Sequence, residues 1–191
     1  EESLDTLIGS QDQYANEVYL YLEDDYKVNE LLKINIGAHA TGFFVNDKQY
    51  FSFQPRIAAR LLLSENSSIK VSYSRMVQYL HLLTNPSMGL PTDLWVPTTD
   101  KIAPETSDII AIGYSQSLPL NLNLNIEAYY KTMNGLIEYS DGISFFGSDQ
   151  DWQNKVETGK GWSYGGEVLL EKKVGKTSGW IGYTLSWTNR Q

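Results

Sequence analysis

The chain has 191 residues with 23 acidic and 15 basic side chains, a formal net charge of −8 and a pI near 4.7, a balance that repels nucleic acid. It contains no cysteine, which removes disulfides and thiolate metal sites. No apolar run reaches the ~18 residues of a transmembrane helix, but membrane strands are only half apolar and escape that test.

Residues 1–13 carry little pattern and read as a loop. From 14 to 26, Val18, Leu20 and Leu22 alternate with Glu17, Tyr19, Tyr21 and Glu23, the period-two signal of a strand with one apolar and one wet face. After a short turn at 27–30, Leu32, Ile34, Ile36, Ala38 and Ala40 alternate with Lys33, Asn35, Gly37, His39 and Thr41. A turn around Asn46-Asp47 leads to the third strand, 50–63, with Phe51, Phe53, Ile57, Ala59 and Leu61 opposite Ser52, Gln54, Arg56 and Arg60. Pro55 lacks an N–H and marks a bulge or an unpaired position there. Another short turn, 64–67, precedes Ile69, Val71, Tyr73, Val77 and Tyr79, which alternate with Lys70, Ser72, Ser74 and Gln78. Arg75 falls on the apolar row. A charge on a lipid face costs ~2–4 kcal/mol at mid-bilayer and much less at its rim, so Arg75 is expected near a rim or turned inward by a bulge.

Residues 83–105, rich in proline, break the alternation and are expected to form a long loop without strands. A strand at 106–118, with Ile110, Ile112, Tyr114 and Leu118 on one row, meets the most regular stretch of the chain, 118–131, which continues to 139. From Leu120 to Glu127 apolar and polar residues alternate without a miss. The polar set is Asn121, Asn123, Asn125 and Glu127; asparagine is a poor strand former, and amides suit a crowded, water-filled interior where each can donate and accept. A second irregular stretch, 140–160, is followed by Trp162, Tyr164, Val168 and Leu170 alternating with Ser163, Gly165, Glu167 and Glu171. After a turn at 174–178, Ile181, Tyr183, Leu185 and Trp187 complete the last strand.

About eight long strands are thus expected, joined alternately by short turns and by connections of which two are long. This predicts an all-β, antiparallel, up-and-down transmembrane β-barrel segment, with short periplasmic turns and long extracellular loops. In it the Leu face meets outer-membrane lipid and Asn121, Asn123, Asn125 and Glu127 face the lumen. The rival reading is a soluble eight-stranded barrel or sandwich binding a small ligand, in which the leucines point to a dry core.

Several stretches together resemble the barrel of TonB-dependent outer-membrane receptors: Phe53-Gln-Pro-Arg-Ile-Ala-Ala-Arg60, Ser68-Ile-Lys-Val-Ser-Tyr-Ser-Arg75, Tyr79-Leu-His-Leu-Leu83, Gly89-Leu-Pro-Thr-Asp-Leu-Trp-Val-Pro97, Gly159-Lys-Gly-Trp-Ser-Tyr-Gly-Gly-Glu167 and Gly179-Trp-Ile-Gly-Tyr-Thr-Leu-Ser186. Within that family they are most similar to the group that carries a carboxypeptidase-like regulatory domain. The resemblance implies active uptake, across the bacterial outer membrane, of a scarce small-molecule or glycan ligand such as an iron chelate, cobalamin or a glycan. It also implies a plug domain and a periplasmic energising protein as partners. Such barrels have roughly 22 strands, so residues 1–191 are expected to be one partial barrel domain of a larger receptor.

Candidate sites are few. His39 and His81 lie on separate strands and are read as ordinary lumen or rim histidines, with no metal site and no cofactor. No Gly-x-Ser-x-Gly elbow or triad spacing points to an enzyme. In the long loops Trp95 beside Asp93, and Trp152 beside Asp151, are the residues placed to stack on and hydrogen-bond a ligand; the competing reading is that the tryptophans pack the loops.

Overall fold

The structure is a computed structural model that describes residues 14–83, 94–140 and 152–191. Ten strands form. β1 (Ala15–Lys27), β2 (Leu32–Val45), β3 (Lys48–Ser64), β4 (Ser67–Gln78), β7 (Glu105–Leu118), β8 (Leu122–Tyr139), β9 (Val156–Lys172) and β10 (Gly179–Arg190) make one sheet in that order, and β5 (Leu80–Leu83) pairs with β6 (Leu94–Pro97) in a separate hairpin. All pairings are antiparallel. The large sheet is therefore an up-and-down meander with the hairpin inserted between its fourth and fifth strands. It does not close on itself: among the described residues β1 and β10 each pair with one neighbour.

Most of the turns follow from local chemistry. The Asn29 side chain accepts the backbone N–H groups of Leu31 and Leu32 at 2.9 and 2.8 Å, and Lys27 pairs with Glu30 at 2.7 Å across the same turn. Asn46 takes the left-handed conformation of the β2–β3 turn (φ 48°), which asparagine tolerates. The expectation of one unbroken element over 118–131 is corrected here. Pro119–Asn121 form a 3-10 turn, Leu120 and Asn121 have φ of 65° and 60°, and β8 begins at Leu122. Proline cannot donate to a ladder, so the alternating pattern starts two residues before the strand that it describes.

Two further expectations are corrected. Leu94–Pro97 is a strand within the stretch read as strandless, because Leu-Trp-Val suits a pleated surface and Pro97 sits last, where a missing N–H costs little. β9 starts at Val156, not near Trp162, and pairs with the end of β8 across a bulge between Asn134 and Leu136. Gly135, with φ 75°, supplies the conformation that bulge needs. Pro55 lies in register with Ala38 on one side, and the β3–β4 ladder begins only at Arg56; the unpaired position expected of it is there.

The register turns alternation into surfaces. Leu32, Leu61, Ile69, Tyr114, Ile126, Val168 and Tyr183 form one cross-strand row; Ile34, Ala59, Val71, Ile112, Ala128, Gly166 and Leu185 the next; and Ile36, Ile57, Tyr73, Ile110, Tyr130, Tyr164 and Trp187 a third. From β2 to β10 three successive rows on one face are thus free of charge; on β1 the third row ends at Asp24. None of this is covered by a second layer: Ile110, Ile112 and Tyr183 are 52, 55 and 65% exposed. A soluble sandwich would bury those rows. Dry clusters occur elsewhere, at the long-loop end, where Leu83, Val96, Ile102 and Ile137 pack together and Phe43, Val45 and Tyr79 form a second group.

Candidate functional site

The connections sort by end. At one rim lie the tight links 28–31, 65–66, 119–121 and 173–178; at the other lie 46–47 and the two long connections 79–104 and 140–155. The described part of 79–104 folds back onto the polar face rather than away from it. Phe43, on the polar side of β2, stacks on Tyr79 with ring centroids 4.5 Å apart and planes within 7°. The Tyr50 hydroxyl donates to the Thr99 carbonyl at 2.7 Å, and the Tyr79 hydroxyl donates to Ser52 at 3.0 Å. This cap buries Thr41 and Gln54 on the sheet's wet side, where the Gln54 amide donates to Thr41 and Ser52 and accepts the Val77 N–H. Buried polar groups need such partners.

Inside the cap His81 is 1% exposed; its Nε2 lies 3.2 Å from the Thr98 hydroxyl and its Nδ1 has no hydrogen-bond partner. Burial pushes its pKa below 6.5, because a desolvated imidazole resists charging. His39 sits apart, on the wet side of β2, against the rings of Tyr19 and Tyr21 at 5.4 and 6.3 Å.

Of the four loop residues singled out from sequence, Asp93 and Asp151 lie outside the described residues. Trp95, on β6, is 63% exposed. Trp152, in the short 3-10 turn Trp152–Lys155, packs against the cluster of Leu83, Val96, Ile102 and Ile137. The two indoles are therefore in different environments, one exposed and the other engaged in holding the cap.

On the polar face Asn123 accepts the Ser117 hydroxyl at 3.1 Å and Asn125 accepts the Ser115 hydroxyl at 2.8 Å. Asn121, in the turn, stands outside that row. Glu127 lies on a row that sequence alone does not reveal. Lys27, Lys33, Arg60, Lys70, Gly113, Glu127, Glu167 and Thr184 are in register across the eight strands, from β1 to β10. Four cations stand on one half of the wall and two carboxylates on the other. All but Lys27, which was read as part of the turn and is the last residue of β1, were visible as polar-row residues; their alignment needs the register.

On the apolar face the greasy rows stop at Arg75, Asp108, Thr132, Trp162 and Asn189, which are in register near the long-loop end. Arg75 stays on this face and stands three residues before the end of β4, opposite Asp108, whose carboxylate accepts the Tyr73 hydroxyl at 2.7 Å. From Leu122 to Tyr130 the outward side of β8 is apolar, about 27 Å of strand at ~3.4 Å per residue. At barrel tilt that is about 20 Å of height, close to the ~25 Å band of outer-membrane barrels.

Comparison with known proteins agrees with that geometry. The family described as TonB dependent receptor-like, beta-barrel, matches residues 4–190. This chain belongs to that family. TonB-dependent receptor barrels are bacterial outer-membrane proteins that serve transport and are not enzymes, so the uncovered apolar face of this barrel segment is its lipid face. No curated protein matches the chain. Among solved structures it is similar to the alcaligin outer-membrane receptor FauA of Bordetella pertussis (15% identity, TM-score 0.61, covering 92% of this chain and 30% of that one). It is likewise similar to the ferripyoverdine receptor of Pseudomonas aeruginosa (15%, 0.65, 95% and 24%) and the ferric-catecholate import receptor Fiu of E. coli K12 (12%, 0.62, 93% and 28%). The receptor barrel segment therefore spans about a quarter to a third of the length of these structures.

Proposed function

We propose that residues 1–191 form part of the wall and extracellular loops of a larger TonB-dependent receptor that takes up a scarce ligand, with an iron chelate first among the candidates, ahead of cobalamin and glycans. The observation that carries this reading is the sheet itself: one face uncharged in three successive rows from β2 to β10 and uncovered, the other charged, with its long connections gathered at one rim. The solved structures similar to it include receptors for alcaligin, ferripyoverdine and ferric catecholates, which supports the iron chelate.

In this reading a plug domain fills the lumen, a periplasmic partner supplies energy, and Asn123, Asn125 and Glu127 face the plug or the ligand path. Asp93, Trp95, Asp151 and Trp152 belong to the extracellular ligand-binding loops, with exposed Trp95 stacking on the ligand and Trp152 bracing the loop that presents it. Base or ring stacking on an aromatic side chain is worth about 1–3 kcal/mol, so Trp95→Ala weakens ligand binding about tenfold.

The test is uptake of a labelled ferric chelate by cells that express the full-length protein under iron limitation. Uptake that requires the protein and stops when the proton-motive force is collapsed supports the proposal. A full-length protein that is monomeric and folded without detergent or lipid, or uptake unchanged by its deletion, overturns it.

A further inference from the structure

The cations of this row outnumber the carboxylates around them: Glu30 pairs with Lys27, while Asp25 and Glu127 stand against Lys33, Arg60 and Lys70. Lys33, Arg60 and Lys70 are directly opposed on β2, β3 and β4, and like charges directly opposite each other destabilise a sheet. The carboxylates on the β1 side have partners of their own. The Asn35 amide donates to Glu23 and Asp25 at 2.5 and 2.8 Å, and Glu30 holds Lys27. Among the described residues Lys33, Arg60 and Lys70 form no ion pair. They line, with Asn35, Ser72 and the two carboxylates Asp25 and Glu127, an open concavity of about 360 Å³ on the wet face, three cations against two acids, a size suited to a small molecule. In a chain of net charge −8, which repels anions overall, this is a local reversal of sign.

We propose that Lys33, Arg60 and Lys70 form a binding site on the lumen wall for a small multivalent oxyanion of the polycarboxylate class, so that the ligand that the barrel passes is anionic. This rests on the uptake reading above and deepens it. Adjacent strands lie about 4.8 Å apart, so the three heads stand in a line about 10 Å long, which matches three carboxylates carried on one small skeleton. The planar fork of Arg60, in the middle, can bind one carboxylate through two parallel N–H donors, and the lysines on either side act as point charges. Glu127, two strands from Lys70 on the same row, sets the far edge of the site by repulsion. The row starts at Lys27, the last residue of β1 before a short turn, so the site lies toward the short-turn, periplasmic rim and away from the cap. An anion that has passed the loops meets it before leaving the barrel.

The experiment is calorimetric titration of the full-length receptor in detergent with tricarballylate, a tricarboxylate, and with acetate for comparison, at two ionic strengths. Heat-modifiable gel mobility reports the folded barrel of each variant. Salt-sensitive tricarballylate binding, no acetate binding, about fivefold weakening in Lys70→Gln, binding lost in the Lys33→Gln, Arg60→Gln, Lys70→Gln triple variant, and about fivefold weakening in Arg60→Lys, which keeps the charge but loses the two-donor fork, are expected. Equal affinity in a heat-modifiable triple variant overturns the site, as does no binding by the wild type up to about 10 mM. Loss of the folded barrel in Lys70→Gln also overturns it, since the row then grips an acidic polypeptide segment inside the barrel. Ferric chelate uptake that persists in a triple variant without tricarballylate binding removes this site and leaves the uptake function standing.

Discussion

The wall and the cap are held by opposite means. In the wall, Ile110, Ile112 and Ile181 point at nothing the protein supplies, and order comes from ladder hydrogen bonds and the medium outside. In the cap, Leu83 at 1%, Val96 at 3% and Ile102 at 5% exposure make a dry cluster like that of a small soluble domain. The lesson is that one continuous chain uses two solvents: lipid completes the wall, and self-burial completes the cap. Substitutions of the same kind should therefore have different costs in the two regions.

The largest effect is expected in the cap. Leu83→Ala leaves a cavity in a site that is already small and should cost about 3–4 kcal/mol of local stability, read as faster amide exchange in residues 94–102 of the full-length protein. The wall should show no such response to Val71→Ala, whose side chain is 42% exposed. Slightly smaller is the reverse test. Ile112→Lys, in the middle of the greasy rows, should cost about 2–4 kcal/mol in lipid, against under about 0.5 kcal/mol for Ser115→Lys on the wet face. Equal costs in a lipid refolding assay would mean that the two faces meet the same medium.

The next effect is a pH dependence confined to the cap. The folded pKa of His81 is below its unfolded value of 6.5, so the unfolded state binds the extra proton first. Cap stability is then full above pH 6.5 and falls as the pH drops from 6.5 through the folded pKa. Amide exchange in the cap should accelerate over that window while wall exchange stays flat, and His81→Gln should flatten the cap response. The smallest effect belongs to the wall's rim. Arg190 and Glu138 pair at 2.7 Å but are 59 and 62% exposed, so Arg190→Gln should cost about 0.5 kcal/mol or less and vanish in high salt.

The same division explains what the sequence disclosed. Wall strands were legible because alternation along Val18–Leu22, Leu32–Ala40 or Ile181–Trp187 is all that a strand between lipid and water requires. The cap was not, since β5 and β6 are too short for periodicity to show and Tyr79 and Leu83 are buried by tertiary contact. The start of β8 was misjudged because Leu120 and Asn121 continue the alternation into a turn that Pro119 imposes. Lys33, Arg60 and Lys70 were each visible on a polar row, but their alignment depends on the lengths of the turns at 46–47 and 65–66, which set the register.

The band of Arg75, Asp108, Thr132 and Asn189 on the outer surface fixes how deep the protein floats. Sinking it by one outward-facing residue would drag an arginine and an aspartate into hydrocarbon, and raising it would strip the isoleucine rows of their acyl chains. Vertical position is thus set from outside, by side chains that face away from the lumen. Through the rigid ladder that setting also anchors every lumen group at a constant distance from the two aqueous compartments.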